Sequence, residues 1–409
     1  SHISQVVKEK VSDKMKICAI ICEYNPFHNG HLYHLGAAKQ ATGADFVVCI
    51  MSGNFVQRGE AAAMGKYARA RHAVLAGADA VIELPVVFAT SSAEFFAQGA
   101  VKLSAAIPEV EALCFGAENG NEKDFFRAAE MLKSEPAKVS DDIRRRMKEG
   151  ESYIKARAGA WAEATGLEPA DSRERTFPLS LLTAPNNILG VEYARAIRSQ
   201  QKTIRLFPIR RIGSGYSEET LRADYPSATA LRAALGRGER LSDGLPEYVR
   251  GDLPLTLEND LEALEKLALL QRSAEDIKSV LDCSEGLENA LKRAAEENVK
   301  DIARALTSKR YTTSRLRRVL LQNLLGISEA FIRECFASPL YLRLLAVRKG
   351  REDVLSALGR SAYPLLSRSG DEQRLEGTAR ACAEKERFAD EVFRIVRNLP
   401  PEVKNVAVE

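Results

Sequence analysis

The chain lacks the marks of a secreted, membrane-spanning or disulfide-stapled protein. Its seven cysteines, spread over 409 residues, form no C-x-x-C pair, which argues against a zinc ribbon or a thioredoxin-type redox site. Several lie in apolar runs, where a free thiol behaves as a small hydrophobe. That usage predicts a reducing, cytoplasmic setting. No apolar stretch approaches the about 20 residues that a membrane-crossing helix needs, so no membrane partner is expected. Residues 1–14 lack the apolar core of a signal peptide and read as a tail, with Met15 a candidate natural start. A dominant charge is missing too. Lys and Arg number 59 against 56 Asp and Glu, leaving +3, so composition gives no global electrostatic argument for nucleic acid.

What is present is an ordinary globular composition, 45% hydrophobic and 28% charged, which excludes a collagenous or wholly disordered chain. Five short apolar runs have strand character: Ile17–Cys22, Phe46–Met51, Ala80–Leu84, Ala112–Phe115 and Thr203–Ile209. Helical patterns fall near residues 31–41, 66–77, 91–105 and 122–133. Apolar strands alternating with helices predict βαβ units on a parallel sheet buried on both faces. The expected fold class is α/β, a doubly wound Rossmann-like sheet over residues 15–236. Residues 237–254 are rich in Gly, Pro and charge and read as a linker. Beyond them, 255–409 shows apolar residues at helical spacing and no strand alternation, predicting a C-terminal α-helical domain.

Three of the five histidines, His28, His31 and His34, crowd into one segment directly after the first strand. That segment opens the first helix, and ligands of open α/β sheets bind at this end of the strands. A helix N-terminus offers unpaired N–H groups and partial positive charge, which suits phosphate. Gly30 allows a close backbone approach, and Pro26 stiffens the turn. Imidazoles at positions 28 and 31 can donate to phosphate oxygens on which charge builds in α-phosphate transfer. The same residues could instead cap the helix, or hold a metal as His-x-x-His-x-x-His, although zinc usually also takes Cys or carboxylates.

The strand–H-x-G-H–helix pattern resembles the signature of the nucleotidyltransferase superfamily that includes class I aminoacyl-tRNA synthetases. Pantetheine-phosphate and nicotinamide-nucleotide adenylyltransferases share it. No KMSKS-like loop is present, so a standard aminoacyl-tRNA synthetase is not expected. Five ordered segments narrow the choice: EYNPFHNGH (23–31), MSGNFVQRGE (51–60), GADAVIELP (77–85), PNNILGVEY (185–193) and SATALR (227–232). Together they resemble the tRNA(Met) cytidine acetate ligase family, and KRYTTSRLRR (309–318) extends the resemblance more weakly. The resemblance implies activation of acetate with ATP to acetyl-adenylate and pyrophosphate. Acetylation of the wobble-cytidine amine of elongator tRNA(Met) would follow. Mg²⁺ is expected with ATP, held largely through phosphates.

The expected catalytic residues are His28 and His31, and no resident metal is expected. The expected ATP site comprises Ile21, Cys22, Glu23, Tyr24, Asn25, Pro26, Phe27, His28, Asn29, Gly30, His31, Leu32, Tyr33 and His34, with Gly116, Asn186, Asn187, Arg211, Ser227, Thr229 and Arg232. Asn186 and Asn187 could instead cap a helix, as could Ser227. Gly116 could be a plain turn glycine, and Arg211 a plain surface residue. The loop Ser52–Arg58 is expected to be flexible or to line a small-acid or cytidine pocket. Lys66, Arg69 and Arg71 read as a solvated helix face or an RNA contact.

Residues 301–350 carry ten basic and three acidic side chains. The excess gathers at Lys309, Arg310, Arg315, Arg317 and Arg318, with Arg343, Arg348 and Lys349 beyond and Tyr311 and Tyr341 among them. Basic side chains with aromatics suit phosphate contact and base stacking, so the first five are the expected tRNA contacts. A solvated face is the plainer alternative. Two rival functions remain at this level: a small-molecule adenylyltransferase, which leaves the helical half unexplained, and a non-catalytic RNA-binding protein with a regulatory nucleotide site.

Overall fold

The computed structural model describes residues 15–165, 180–212, 225–241, 244–254, 261–284, 286–399 and 407–408; the expected tail, 1–14, lies outside them. Four apolar runs become β1 (Ile17–Cys22), β2 (Phe46–Ser52), β5 (Ala80–Leu84) and β6 (Val110–Ala117). Between them a short antiparallel hairpin pairs β3 (Phe55–Val56) with β4 (Glu60–Ala61). The fifth run becomes β7 (Arg205–Arg210). Neighbouring strands in the order β5-β2-β1-β6-β7 pair in parallel. β1 therefore has a later strand on each side, and the winding reverses between β1 and β6. Their apolar side chains are nearly all buried, as a sheet covered by helices on both faces requires.

Helices Asn29–Thr42 (α1) and Lys66–Leu75 (α2) cover one face, while Ala93–Ala105 and Pro185–Arg198 pack together on the other. Beyond residue 255 the helical expectation holds for most of the chain, including Leu261–Gln271, Thr313–Leu325 and Gly377–Val396. One part of it is corrected. β8 (Leu342–Val347) joins the main sheet antiparallel to β5. β9 (Leu365–Leu366) and β10 (Ala407–Val408) then pair with β8. LRLLAV shows no alternation because both faces of β8 are buried, so apart from Arg343 it has the continuous apolar pattern of an interior strand.

The linker expectation is also corrected. Residues 244–254 pack on the nucleotide domain, with Leu245 and Val249 buried in its second core. The Asn29 N–H donates to the Gly244 carbonyl at 2.9 Å. Asp252 accepts from His72 Nε2 at 2.8 Å.

Candidate active site

A cleft opens at the carboxyl ends of β1 and β6, where the winding reverses, the usual binding position in open α/β sheets. It encloses about 200 Å³. Three helices begin at its wall, contributing Gly30 and His31, Asn186, and Ser227 to Thr229. Their N–H groups and dipoles give the cleft a positive character. Arg58, Arg210, Arg211 and Arg232 add to it, against one acidic lining residue, Glu23, among those described.

The H-x-G-H spacing performs two tasks at once. His28 is the N-cap of α1, and its Nδ1 accepts from the Gly30 N–H at 3.1 Å. His31 folds back so that its Nδ1 accepts from the His28 N–H at 3.3 Å. The rings stack at 3.7 Å with 25° between planes. With both Nδ1 atoms accepting, each neutral imidazole carries its proton on Nε2. Burial, with Arg211 and Arg232 nearby, lowers His28 to about 3. Burial, then His28 and Arg211, holds His31 well below its ordinary value. Both are therefore neutral donors at physiological pH. Gly30 is required by this stack, since a Cβ there would lie 2.9 Å from His28 Cε1. Its absent side chain thus serves the histidine ring. The capping alternative holds, and it leaves the Nε2 atom of each ring unused by the cap. A three-histidine zinc site fits poorly, because two of its Nδ1 atoms already hold backbone protons.

Glu23 turns its carboxylate to the adjacent loop: Oε1 accepts from the Gln57 N–H at 2.8 Å and the Ser52 hydroxyl at 3.3 Å. Burial pushes its carboxyl up, and the Gln57 N–H opposes the rise. Asn25 Oδ1 accepts from the Ala63 N–H at 2.7 Å, while its buried Nδ2 has no partner among the described residues. Tyr24 adopts φ 48°, unusual for an aromatic residue, and packs its ring against Phe27 and His31.

The other motifs converge here. Gly116 lines the cleft, and a Cβ there would meet Arg211 Cγ at 3.2 Å. Ser227 Oγ accepts from the Ala230 N–H at 3.1 Å, so it caps its helix and also lines the cleft. Arg232 Nη1 donates to the Asn25 carbonyl at 2.8 Å. Asn186 lines the wall while its amide donates to Glu118 Oε1 at 2.7 Å.

These placements fit the chain's known relatives. It matches the HIGH Nucleotidyl Transferase family over residues 15–405. It is 36% identical over 395 residues to the tRNA(Met) cytidine acetate ligase of Thermoanaerobacter sp. (strain X514), covering 93% of this chain and 95% of that protein. The chain belongs to the tRNA(Met) cytidine acetate ligase family. Two solved structures agree. Thermotoga maritima TmcAL in its apo form I has a TM-score of 0.84 at 27% identity, covering 97% of this chain and 100% of that one. The same protein bound with alpha-thio ATP gives a TM-score of 0.78 at 29% identity, with 96% of each chain covered.

Within this ligase family member, some expected site residues lie elsewhere. Pro26, Phe27, Asn29, Leu32 and Asn187 do not line the cleft. Phe27 is core. Asn187 is fully buried, accepting from the Glu118 N–H at 3.0 Å and donating to Asn119 Oδ1 at 2.6 Å, so it ties the start of its helix to the loop after β6. Lys66 and Arg69 are neither a solvated face nor an RNA contact, since both are buried. Arg69 binds the carbonyls of Glu23, Ser52, Gly53 and Met64. Tyr341 is also buried and stacks on no outside base.

The basic cluster separates into two kinds of residue. Lys309 and Arg310 are exposed. Arg315 is tied to the Asp282 carbonyl at 2.7 Å and the Ser284 hydroxyl at 3.2 Å. Arg317 pairs with Glu60, and Arg318 lies 3.6 Å from Asp282. Arg343 is buried, 3.1 Å from Glu83 and 2.7 Å from Glu372. Sequence reasoning missed Phe96, Leu189, Tyr193, Arg210 and Tyr225 on the cleft wall. Arg210 ends β7 beside the chosen Arg211, a position that could have flagged it; the apolar residues carry no such signal.

Proposed function

We propose that the protein activates acetate with ATP as acetyl-adenylate and then acetylates the N4 amine of the wobble cytidine of elongator tRNA(Met). The observation that carries this reading is the neutral, stacked His28–His31 pair at the helix N-terminus beside β1. In the first step an acetate oxygen attacks the α-phosphorus and pyrophosphate leaves. Nε2–H groups of His28 and His31 donate to the α-phosphate oxygens as their charge grows. Arg211, Arg232, Ser227 and Thr229 hold the outer phosphates, and Gly116 and Asn186 border the adenosine. Mg²⁺ bound with the triphosphate would offset part of its charge. The acidic lining residue, Glu23, is committed to Ser52 and Gln57, so the ion would be held mainly by phosphates and water.

In the second step the cytidine amine attacks the acyl carbon, AMP leaves, and the amine proton passes to solvent. No side chain need become a covalent nucleophile; positioning and charge stabilisation suffice. Lys309 and Arg310, in the loop before helix Thr313–Leu325, meet the tRNA backbone, and Arg315, Arg317 and Arg318 hold that helix to its neighbours. The tRNA substrate puts the reaction in the cytoplasm. The test is ATP–pyrophosphate exchange with and without acetate and without tRNA, then mass spectrometry of tRNA nucleosides after incubation with ATP and labelled acetate. Exchange with acetate and label in N4-acetylcytidine are expected. Exchange that ignores acetate would overturn the reading.

A further inference from the structure

A second cavity lies beside the adenylate cleft and belongs to no step described so far. It encloses about 520 Å³, within the about 300–1,000 Å³ of typical ligand pockets. Arg232 lines both cavities. Asn25, on the cleft wall, accepts from the N–H of Ala63, on the second cavity's wall. The two spaces are therefore neighbours across one guanidinium and one short loop. Leu261–Gln271, Ile302–Ala305 and Thr313–Leu325 also contribute lining residues, so the cavity joins the nucleotide domain to the helical half.

Its charge differs in kind from that of the cleft. Arg232, Arg317 and Arg397 face Glu60, Glu262, Glu265 and Asp301, giving mixed polarity with no cationic excess. Such a lining does not suit a triphosphate. Three of the four acids are already engaged: Glu60 with Arg317, Glu262 with Lys266 at 2.7 Å, and Asp301 with the Arg304 N–H at 3.2 Å. Glu265 has no hydrogen-bond or ion-pair partner among the described residues. Burial pushes it up to about 8, against the pull of Arg317 and with Glu262 and Asp301 adding to the rise. Glu265 is half-buried, so its carboxyl opens on the cavity and is available to accept from a ligand donor.

We propose that this second cavity is the acceptor pocket, taking the amino-bearing pyrimidine base with Glu265 as hydrogen-bond acceptor for its exocyclic amine. Carboxyl acceptance from the cytosine amine is an established pairing, and arginine donors suit the ring's carbonyl and nitrogen acceptors. The position follows from the chemistry, since the amine must reach an acyl group held in the adjoining cleft. The inference rests on the proposed two-step reaction.

The test uses the full chain, elongator tRNA(Met) transcript as probe, and two variants. Glu265→Leu removes the carboxyl acceptor at similar volume. Gly236→Phe adds a ring on the cavity wall, at a glycine whose Cβ would have no heavy atom within 4 Å. Both variants are expected to keep acetate-dependent pyrophosphate exchange within about twofold. Both should lower kcat/KM for tRNA acetylation by about tenfold or more, the loss expected for a contact worth about 1.4 kcal/mol. Wild-type acetylation by both variants would overturn the pocket. Equal loss of exchange and acetylation would overturn it as well, marking these residues as structural. Absence of exchange in the wild type would instead overturn the underlying reaction.

Discussion

The cleft and the cluster around Lys66 are built from similar materials and come to opposite ends. Both bury polar and charged side chains. Around Lys66 the groups neutralise one another's charge. Its ammonium lies 2.7 Å from Glu83 and 2.8 Å from Asp390, while Arg343 reaches Glu83 at 3.1 Å. Glu386 takes the Val86 N–H at 2.6 Å, and burial raises its carboxyl well above the ordinary range. Among the described residues, Glu83, Glu386 and Asp390 are the one acidic group spaced for a metal, and the Lys66 ammonium fills their centre. The result pins the C-terminal helix Gly377–Val396 to the sheet. In the cleft, each histidine spends one nitrogen on the backbone and keeps the other. Burial of charge therefore does not mark a site by itself; a donor left over at a cavity does.

That contrast can be broken at either end. The largest effect is expected from Lys66→Met, which leaves Glu83 and Asp390 short of their cation. Removing one partner of a buried pair costs about 3–5 kcal/mol. Denaturant unfolding should show that loss, and a change under about 1 kcal/mol would mean the cluster rearranges freely. Next comes His31→Ala, expected to lower acetate-dependent exchange about 10²–10³-fold, the loss of one transition-state donor. Its thermal stability should fall only by the loss of one cap contact, about 1 kcal/mol. An activity loss below tenfold would leave His31 as a capping residue alone.

Gly53→Ala tests whether the MSGNF glycine serves the closed cluster. A Cβ there would lie 2.6 Å from Glu83 Oε1 and 2.9 Å from Glu386 Oε1. Overpacking of this kind costs about 1–3 kcal/mol, read by denaturant midpoint, with nucleotide affinity unchanged.

The smallest effect is a pH profile. His28 and His34 are lowered to about 3 and about 4, so neither takes up a proton in the native state between pH 8 and 6. Exchange should stay flat there, and an acid limb near pH 6.5 would contradict the buried stack. Stability behaves differently. Unfolded histidines bind protons below about 6.5, where the folded ones do not, so acidification should favour unfolding from that pH downward.

Most of the sheet was legible because an interior parallel strand is an unbroken apolar run, and five such runs stand out between helical patterns. The cleft was legible where function demands rare residues at fixed spacing, as in His28, Gly30, His31 and Arg232. Asn187 misled because an amide that ties a helix start to a neighbouring loop has the same letter as one that reads a base. The arginines of 315–318 misled for a similar reason. Their partners, Asp282 and Glu60, are distant in the chain, so a run of like charge looked like open surface.

The sequence by itself determined the five parallel strands, the H-x-G-H turn after the first and the family to which they belong, because local periodicity and short-range spacing carry those features. The tertiary structure alone decided that β8 returns to the sheet, that Lys66 closes a charge cluster, and that a second cavity adjoins the cleft. Each of these is fixed by which distant segment comes to lie alongside, and local periodicity does not carry the identity of that partner.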